Sequence, residues 1–223
     1  MASTDTSGIV LRTTDWSETS AIVTWFTRDL GKLRTVAKGA YRRKSPFSGK
    51  LDLFYLNDIV FIPSRSGDLH TLSECYVENP FPHIRERLDV FTAASYCCEF
   101  VDLATEPEGP VPELFELLAG SLTAFDEGRL TPLSVPLFEL LALDRLGFRP
   151  DPSRLDLDPG TRRIVADILD NKHLERLRPT AAQQRQLDAF LTMFIGQQFG
   201  RLPKSRRLLV RQDATAKRGK QTD

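Results

Sequence analysis

The pattern of apolar residues changes at one point in the sequence, and this change limits the folds open to the chain. Residues 8–80 alternate short apolar, β-branched runs with turn-forming residues, as in the run Ala21 to Thr27 and the turn Asp29-Leu30-Gly31 after it. Beyond the stretch Asn79-Pro80-Phe81-Pro82 the apolar residues recur at helical spacing. About five short strands followed by helices predict an α+β fold, with an N-terminal OB-fold β-barrel and an all-helical C-terminal domain.

The expected strands lie where turn residues interrupt the apolar runs. Ala21 to Thr27 is apolar on both faces, as a strand of a closed barrel would be. Further strands are expected at Lys32 to Lys38, at Leu51 to Ile62, which Pro63 ends, and at Leu69 to Val77.

A series of helices is expected in the C-terminal part. Thr180-Ala-Ala-Gln183 forms a capping box that starts the clearest of them, and Gly200 ends it. The others are expected at Ile84 to Ala104, Pro112 to Gly128, Ser134 to Leu146, with Pro136 in the first turn, and Thr161 to Asp170. We therefore divide the chain into an OB-fold domain at 1–80, a helical domain at 81–210 and a disordered basic tail at 211–223.

The charged residues are unevenly distributed. Lys plus Arg and Asp plus Glu each total 30, and the resulting net charge of zero would argue against a nucleic-acid-binding protein. However, eight basic residues and one acidic residue lie between Arg28 and Lys50, and the same numbers lie between Arg201 and Lys220. Residues 51–200 contain 13 basic and 24 acidic residues. Two basic segments therefore flank an acidic middle.

The first basic segment is the strongest functional signal. Alternation along the strand places Leu33, Thr35 and Ala37 in the core, and the cations Lys32, Arg34 and Lys38 on the opposite face. The loop that follows mixes basic and aromatic residues, which suits nucleic acid because cations neutralise phosphates and rings stack on bases. A solvated, charged strand face is the alternative. The candidate nucleic-acid contacts here are Arg28, Lys32, Arg34, Lys38, Arg42, Arg43, Lys44 and Lys50, with Tyr41 and Phe47 as possible stacking residues.

The second basic segment follows the last expected helix. Lys204, Arg206 and Arg207 are further candidates for nucleic-acid contact. The alternative is that these cations compensate the dipole of the helix C-terminus and form salt bridges with the acidic middle.

Sequence motifs of catalysis are missing from the chain. It contains no phosphate-binding loop, no His-Glu-x-x-His and no Gly-x-Ser-x-Gly. An enzymatic role is therefore not expected, although acid–base pairs assembled from distant positions stay open. No cofactor is expected. Without a long apolar run or a signal peptide, and with only Cys75, Cys97 and Cys98, the chain is expected to work in the cytoplasm, away from membranes.

Two segments resemble a known protein family. Gly8-Ile-Val-Leu-Arg-Thr and Thr27-Arg-Asp-Leu-Gly-Lys-Leu-Arg-Thr-Val-Ala-Lys-Gly-Ala-Tyr-Arg-Arg-Lys-Ser45 are similar to the N-terminal domain of the RecO family of bacterial recombination and repair mediators. Gly200-Arg-Leu-Pro-Lys-Ser-Arg-Arg-Leu-Leu209 resembles the family's C-terminal Lys-Ser-Arg segment.

The resemblance implies a set of activities and partners. It implies an OB fold followed by helices, binding of single- and double-stranded DNA, annealing of complementary strands and association with the bacterial nucleoid. The implied partners are RecR and the acidic C-terminal tail of the single-stranded DNA-binding protein, and the implied task is to help load RecA. Arg129, Arg145 and the Lys204–Arg207 cluster are candidates for holding that tail.

The sequence departs from the family at one site. Many members carry a four-cysteine zinc site after the segment matching Leu146-Gly-Phe-Arg-Pro150, whereas residues 151–160 contain no cysteine here. We therefore predict no zinc. Two other functions stay open from the residues alone: a protein-interaction adaptor that uses the acidic helical domain, and an RNA-binding OB protein.

Overall fold

Five strands form the N-terminal part of the computed structural model, which describes residues 3–209. They are β1 (Thr4–Ser17), β2 (Ser20–Thr27), β3 (Gly31–Ala37), β4 (Leu56–Ile62) and β5 (Leu69–Asn79). They close into a barrel in the order β1-β2-β3-β5-β4, in which β3 pairs with β5 in parallel and the other neighbours are antiparallel. The predicted OB-type barrel is confirmed.

Strand β2 shows why both faces of its sequence are apolar. Every residue from Ser20 to Thr27 is buried. The Trp25 ring lies in the barrel interior, where its Nε1 donates to Thr35 Oγ1 at 2.8 Å. Its neighbour Phe26 points outward and contacts Phe115 of the helical part, with 6.2 Å between ring centroids. Because one face fills the barrel and the other supports the helices, neither face contacts water.

The strand expected at Leu51 to Ile62 is shorter than predicted. Residues 51–55 form a turn, and β4 begins only at Leu56. This turn contacts β1 next to a shift in the β1–β2 register that follows Val10. Val10 N donates to Tyr55 O, and Phe54 N donates to Val10 O, both at 3.0 Å. Phe54 has a φ of 73° and is buried, so its apolar character reflects packing in this turn rather than a strand.

The helices agree closely with the sequence pattern. They are α1 (Leu88–Ala104), α2 (Pro112–Asp126), α3 (Ser134–Arg145), α4 (Pro159–Leu169) and α5 (Ala181–Phe199). The helix expected from Ile84 is wrong at its start, because a 3-10 helix spans Pro82–Glu86 and α1 follows the extended residue Arg87. The capping box is confirmed, since Thr180 and Gln183 exchange both hydrogen bonds.

One apolar core joins the helices to the outside of the barrel. Ile9, Leu11 and Phe26 of the barrel belong to the same buried cluster as residues of all five helices, whereas Trp25 and Leu33 belong to a second cluster inside the barrel. The two predicted domains therefore pack together, and the boundary between them stays a prediction. Within residues 3–209, no helix has the length and apolar character needed to cross a membrane.

A buried ion pair anchors the segment that follows α5. Arg206 donates to Glu139 of α3, to Tyr96 Oη at 2.6 Å and to Thr192 Oγ1 at 2.9 Å, and Tyr96 of α1 also donates to Glu139. The side chains of Arg206 and Glu139 are 8% and 1% exposed. In this structure Arg206 is not accessible to DNA, because leaving Glu139 to meet a phosphate would leave that buried carboxylate without its cation.

The predicted tail at 211–223 lies outside the described residues.

Candidate nucleic-acid interface

The cations of β3 do not form one free ladder. The predicted alternation is present, since Leu33, Thr35 and Ala37 are buried. However, Lys32 is only 14% exposed, because its Nζ donates to Asp102 O at 2.6 Å and lies 3.4 Å from Asp102 Oδ1. Arg34 lies 3.2 Å from Asp68. Arg34 stays 41% exposed, so what distinguishes the exposed Lys38 on this face is that it has no carboxylate partner among residues 3–209.

Arg28 is also held by a neighbour. It lies 3.0 Å from Glu116 of α2, and its guanidinium lies over the Phe115 ring at 5.3 Å. The side chain is 49% exposed. It joins the barrel to the helical part, so a phosphate at this position would have to compete with Glu116.

The loop after β3 carries three exposed cations. Arg42, Arg43 and Lys44 are exposed there, next to Lys38 in the chain. We call Lys38, Arg42, Arg43 and Lys44 the loop quartet. None of its members is paired with a carboxylate within the described residues, so the quartet can meet phosphates without first losing an ion pair.

The loop is tied to the turn between β1 and β2. Gly39 N donates to Ser20 Oγ at 3.1 Å, and Tyr41 N donates to Thr19 O at 3.1 Å. The Tyr41 hydroxyl donates to Asp15 Oδ1 at 2.6 Å, and this hydrogen bond raises the pKa of Tyr41. Gly39 has a φ of 72°, which a glycine adopts without strain. Tyr41 therefore fixes the loop, although its half-exposed ring can still contact a ligand.

Two further candidates of this segment are not free. Phe47 is 6% exposed and fills the barrel interior, so in this structure its ring is not accessible to a base. The chain must close the barrel end between β3 and β4, and the ring supplies apolar volume there. Lys50 donates to Cys75 O at 2.9 Å and lies over the Tyr76 ring at 5.5 Å.

The sequence interpretation missed Trp16. Its side chain is 60% exposed at the end of β1. It lines an open groove of about 640 Å³ together with Lys38, Arg42, Val36 and Leu69. A tryptophan between polar residues, as in Asp15-Trp16-Ser17, is a sequence signal for an exposed ring. It was missed because it lies outside the basic segment from Arg28 to Lys50, on which the prediction of binding residues was based.

The second basic segment contributes fewer accessible cations than expected. Lys204 and Arg207 are exposed, whereas Arg206 is buried. Glu99 accepts from the backbone N–H of Lys204 at 2.6 Å and of Ser205 at 2.9 Å. Burial alone would raise the pKa of Glu99, but the hydrogen bonds from Ser205 and Lys204 bring it below its ordinary value. This segment is thus fixed against α1, with Lys204 and Arg207 on its surface.

The described residues do not fit a zinc site. No three His, Cys, Asp or Glu side chains of residues 3–209 come together in a way that could hold a metal ion. Cys75, Cys97 and Cys98 are buried thiols, and burial raises the pKa of Cys75 to about 11. In the segment where relatives carry cysteines, Asp151 and Asp158 accept backbone N–H groups at the starts of two helices instead.

Comparison with known proteins identifies the family. A family model described as Recombination protein O N terminal matches residues 1–81, and one described as Recombination protein O C terminal matches residues 85–154. The chain belongs to the RecO family. The matched regions contain the whole barrel and helices α1 to α3.

Individual relatives agree with this assignment. A DNA repair protein RecO of Syntrophus aciditrophicus is 37% identical over 145 residues, which cover 65% of this chain and 56% of that protein. One of Salinibacter ruber is 37% identical over 165 residues, covering 72% of this chain and 63% of that protein. One of Bacillus pumilus is 37% identical over 144 residues, which cover 65% of this chain and 56% of that protein. The match thus spans little more than half the length of the RecO proteins it resembles.

Proposed function

We propose that this RecO-family chain acts in DNA repair and recombination as a non-enzymatic mediator that binds single- and double-stranded DNA. The observation that carries the proposal is the loop quartet, four exposed cations on an OB-type barrel. Such barrels commonly bind oligonucleotides through one strand face and the adjoining loops. The names of the relatives support a role in DNA repair.

Binding of this kind needs no nucleophile. The quartet would neutralise phosphates and release counterions, and the rigid attachment of the loop to the β1–β2 turn would hold the cations in place before DNA arrives. The acidic helical part would repel the polyanion and confine it to the barrel. A protein that holds two strands by their backbones in this way would anneal complementary strands.

The wider task follows from the family. We propose RecR and the single-stranded DNA-binding protein as partners, and the loading of RecA onto coated strands as the outcome, at the nucleoid of a bacterial cytoplasm. The expected binding partner on the single-stranded DNA-binding protein is its acidic C-terminal tail. A site for that tail needs apolar walls and free cations.

A cleft between the barrel and α1 has these properties. Its volume is about 380 Å³, and Leu11, Leu53 and Phe54 form apolar walls beside Arg201 and Lys204. Both of its carboxylates already have partners, since Glu99 accepts the N–H groups of Lys204 and Ser205, and Asp102 lies 3.4 Å from Lys32. We propose this cleft for the tail rather than the exposed Arg129, which is paired with Glu127, or Arg145, which donates to Leu141 O.

The salt dependence of oligonucleotide binding tests the proposed function. If the four quartet cations each meet a phosphate, the slope of log K against log salt for a single strand is about −2.8. The measurement is fluorescence anisotropy with a labelled oligonucleotide at several salt concentrations, followed by a gel-shift on strands coated with the single-stranded DNA-binding protein. A slope near zero, or no binding at low salt, contradicts the proposal.

Charge reversal tests the cleft. The double variant R201E/K204E is expected to bind an acidic, aromatic-ended peptide about tenfold more weakly, because two ion pairs are replaced by repulsion. Isothermal titration with the peptide measures the change, and R129E/R145E is the matched control. Equal affinities of the R201E/K204E variant and the wild type would place the tail elsewhere.

A further inference from the structure

Trp16 is an exposed aromatic side chain whose position is fixed by the backbone. In the pairing of β1 with β2, Asp15 faces Ala21 and Ser17 faces Ser20, so Trp16 is the additional residue of a β-bulge. Bulges redirect a side chain away from the regular face of the strand. The same hairpin end is tied to the loop by Tyr41, through Thr19 O and Asp15 Oδ1. The indole therefore lies outside the barrel, at a hairpin end that hydrogen bonds to the loop hold in place.

The groove beside Trp16 has the chemistry of a polyanion site. Lys38 and Arg42 supply two cations, and Val36, Leu69 and Thr71 of β3 and β5 line it with apolar and small polar surface. The described residues that line it include no carboxylate. This differs from the neighbouring cavity at Arg34, which Asp68, Asp102 and Glu108 also line. The groove at Trp16 thus combines a free ring with unpaired positive charge.

An aromatic ring next to phosphate-binding cations favours single-stranded over double-stranded DNA. Every base has a π-face that can stack on an indole, but in a duplex both faces are already covered by neighbouring bases. Phosphate contacts, by contrast, are available on single strands and duplexes alike. A stacking residue added to a cationic loop therefore strengthens binding to single strands alone.

We infer that Trp16 is a base-stacking residue that makes the barrel groove select single-stranded DNA over duplex DNA. The inference rests on the proposed function, and it assigns the preference for unpaired bases to one side chain. The loop quartet contributes to binding of both forms, whereas Trp16 contributes to binding of the single strand.

The variant W16A tests the assignment. Stacking of one base on an aromatic ring corresponds to about 5- to 150-fold in affinity, so the variant is expected to lose a factor in that range for an oligothymidine strand. Its affinity for a duplex of equal length is expected to change less than twofold. Anisotropy with both labelled DNAs gives the four affinities. The matched control is Y76A, because Tyr76 is 58% exposed on the same barrel, five residues and about 17 Å beyond Thr71 along β5.

Tryptophan fluorescence gives an independent readout. The chain contains 2 tryptophans, and Trp25 is fully buried and hydrogen-bonded to Thr35. Quenching of the wild-type emission by a single strand is therefore expected to come from Trp16 and to be absent from W16A. Thermal melting of W16A, which is expected to match the wild type, shows that the variant is folded.

The possible results separate the two claims. If the wild type binds neither DNA form, the proposed function fails and the inference fails with it. If the wild type binds DNA and W16A binds the single strand within twofold of it, only the inference is overturned. A wild-type dimer that W16A dissociates, with unchanged DNA affinity, would also overturn the inference by assigning the ring to self-association.

Discussion

Replacing Arg206 by alanine is expected to lower the free energy of unfolding by about 3–5 kcal/mol. The change leaves the fully buried Glu139 without its cation, and it also removes donors to Tyr96 and Thr192. Burial raises the pKa of the Glu139 carboxyl, and the Arg206 guanidinium opposes that shift. Without Arg206 the carboxyl must either be buried as an unpaired anion or take up a proton, and both cost stability.

Urea denaturation monitored by circular dichroism measures this loss. The control is R207A, because Arg207 is the adjacent exposed residue and its removal is expected to change stability by less than about 0.5 kcal/mol. The double variant E139L/R206M is expected to recover most of the loss, since it removes both charges together. Equal stabilities of R206A and R207A would show that the buried network does not hold the segment after α5.

The features that the sequence predicted correctly are local ones. The alternation of Leu33, Thr35 and Ala37 and the capping box at Thr180 depend on residues a few positions apart, and the structure has both. The basic loop after β3 was found for the same reason, because its cations are neighbours in the chain. Local spacing also located β2, β3 and β5 and indicated a barrel, although it did not place β1 and started β4 five residues early.

The sequence failed to predict which cations are accessible where a side chain contacts a residue far away in the chain. Lys32 is held by Asp102, 70 positions away, and Arg206 by Glu139, 67 positions away. Charge alone could not distinguish these paired cations from the free ones in the loop. The burial of Phe47 likewise depends on how the loop crosses the barrel end, which no local pattern records. Trp16 was missed because its exposure follows from a bulge in the strand pairing.

Reversing the loop quartet is expected to remove DNA binding at the barrel. The variant K38E/R42E/R43E/K44E changes four exposed cations to anions, so phosphate contacts are replaced by repulsion. We expect affinity for a single strand to fall by on the order of 100-fold or more at about 0.1 M salt. Duplex binding should fall as well, because both forms present phosphates to the same loop. The protein should stay folded, since all four side chains are exposed.

The most direct test is the single-strand affinity of this quadruple variant beside a variant with the same change in net charge elsewhere. R154E/R163E/R176E/R185E serves as that control, because its four exposed arginines lie in the helical part. Anisotropy at one salt concentration compares the wild type and the two variants. The account predicts a loss on the order of 100-fold for the quartet variant and only a small, uniform weakening for the control. Equal losses in both variants would contradict it, because DNA binding would then follow net charge and not the barrel loop.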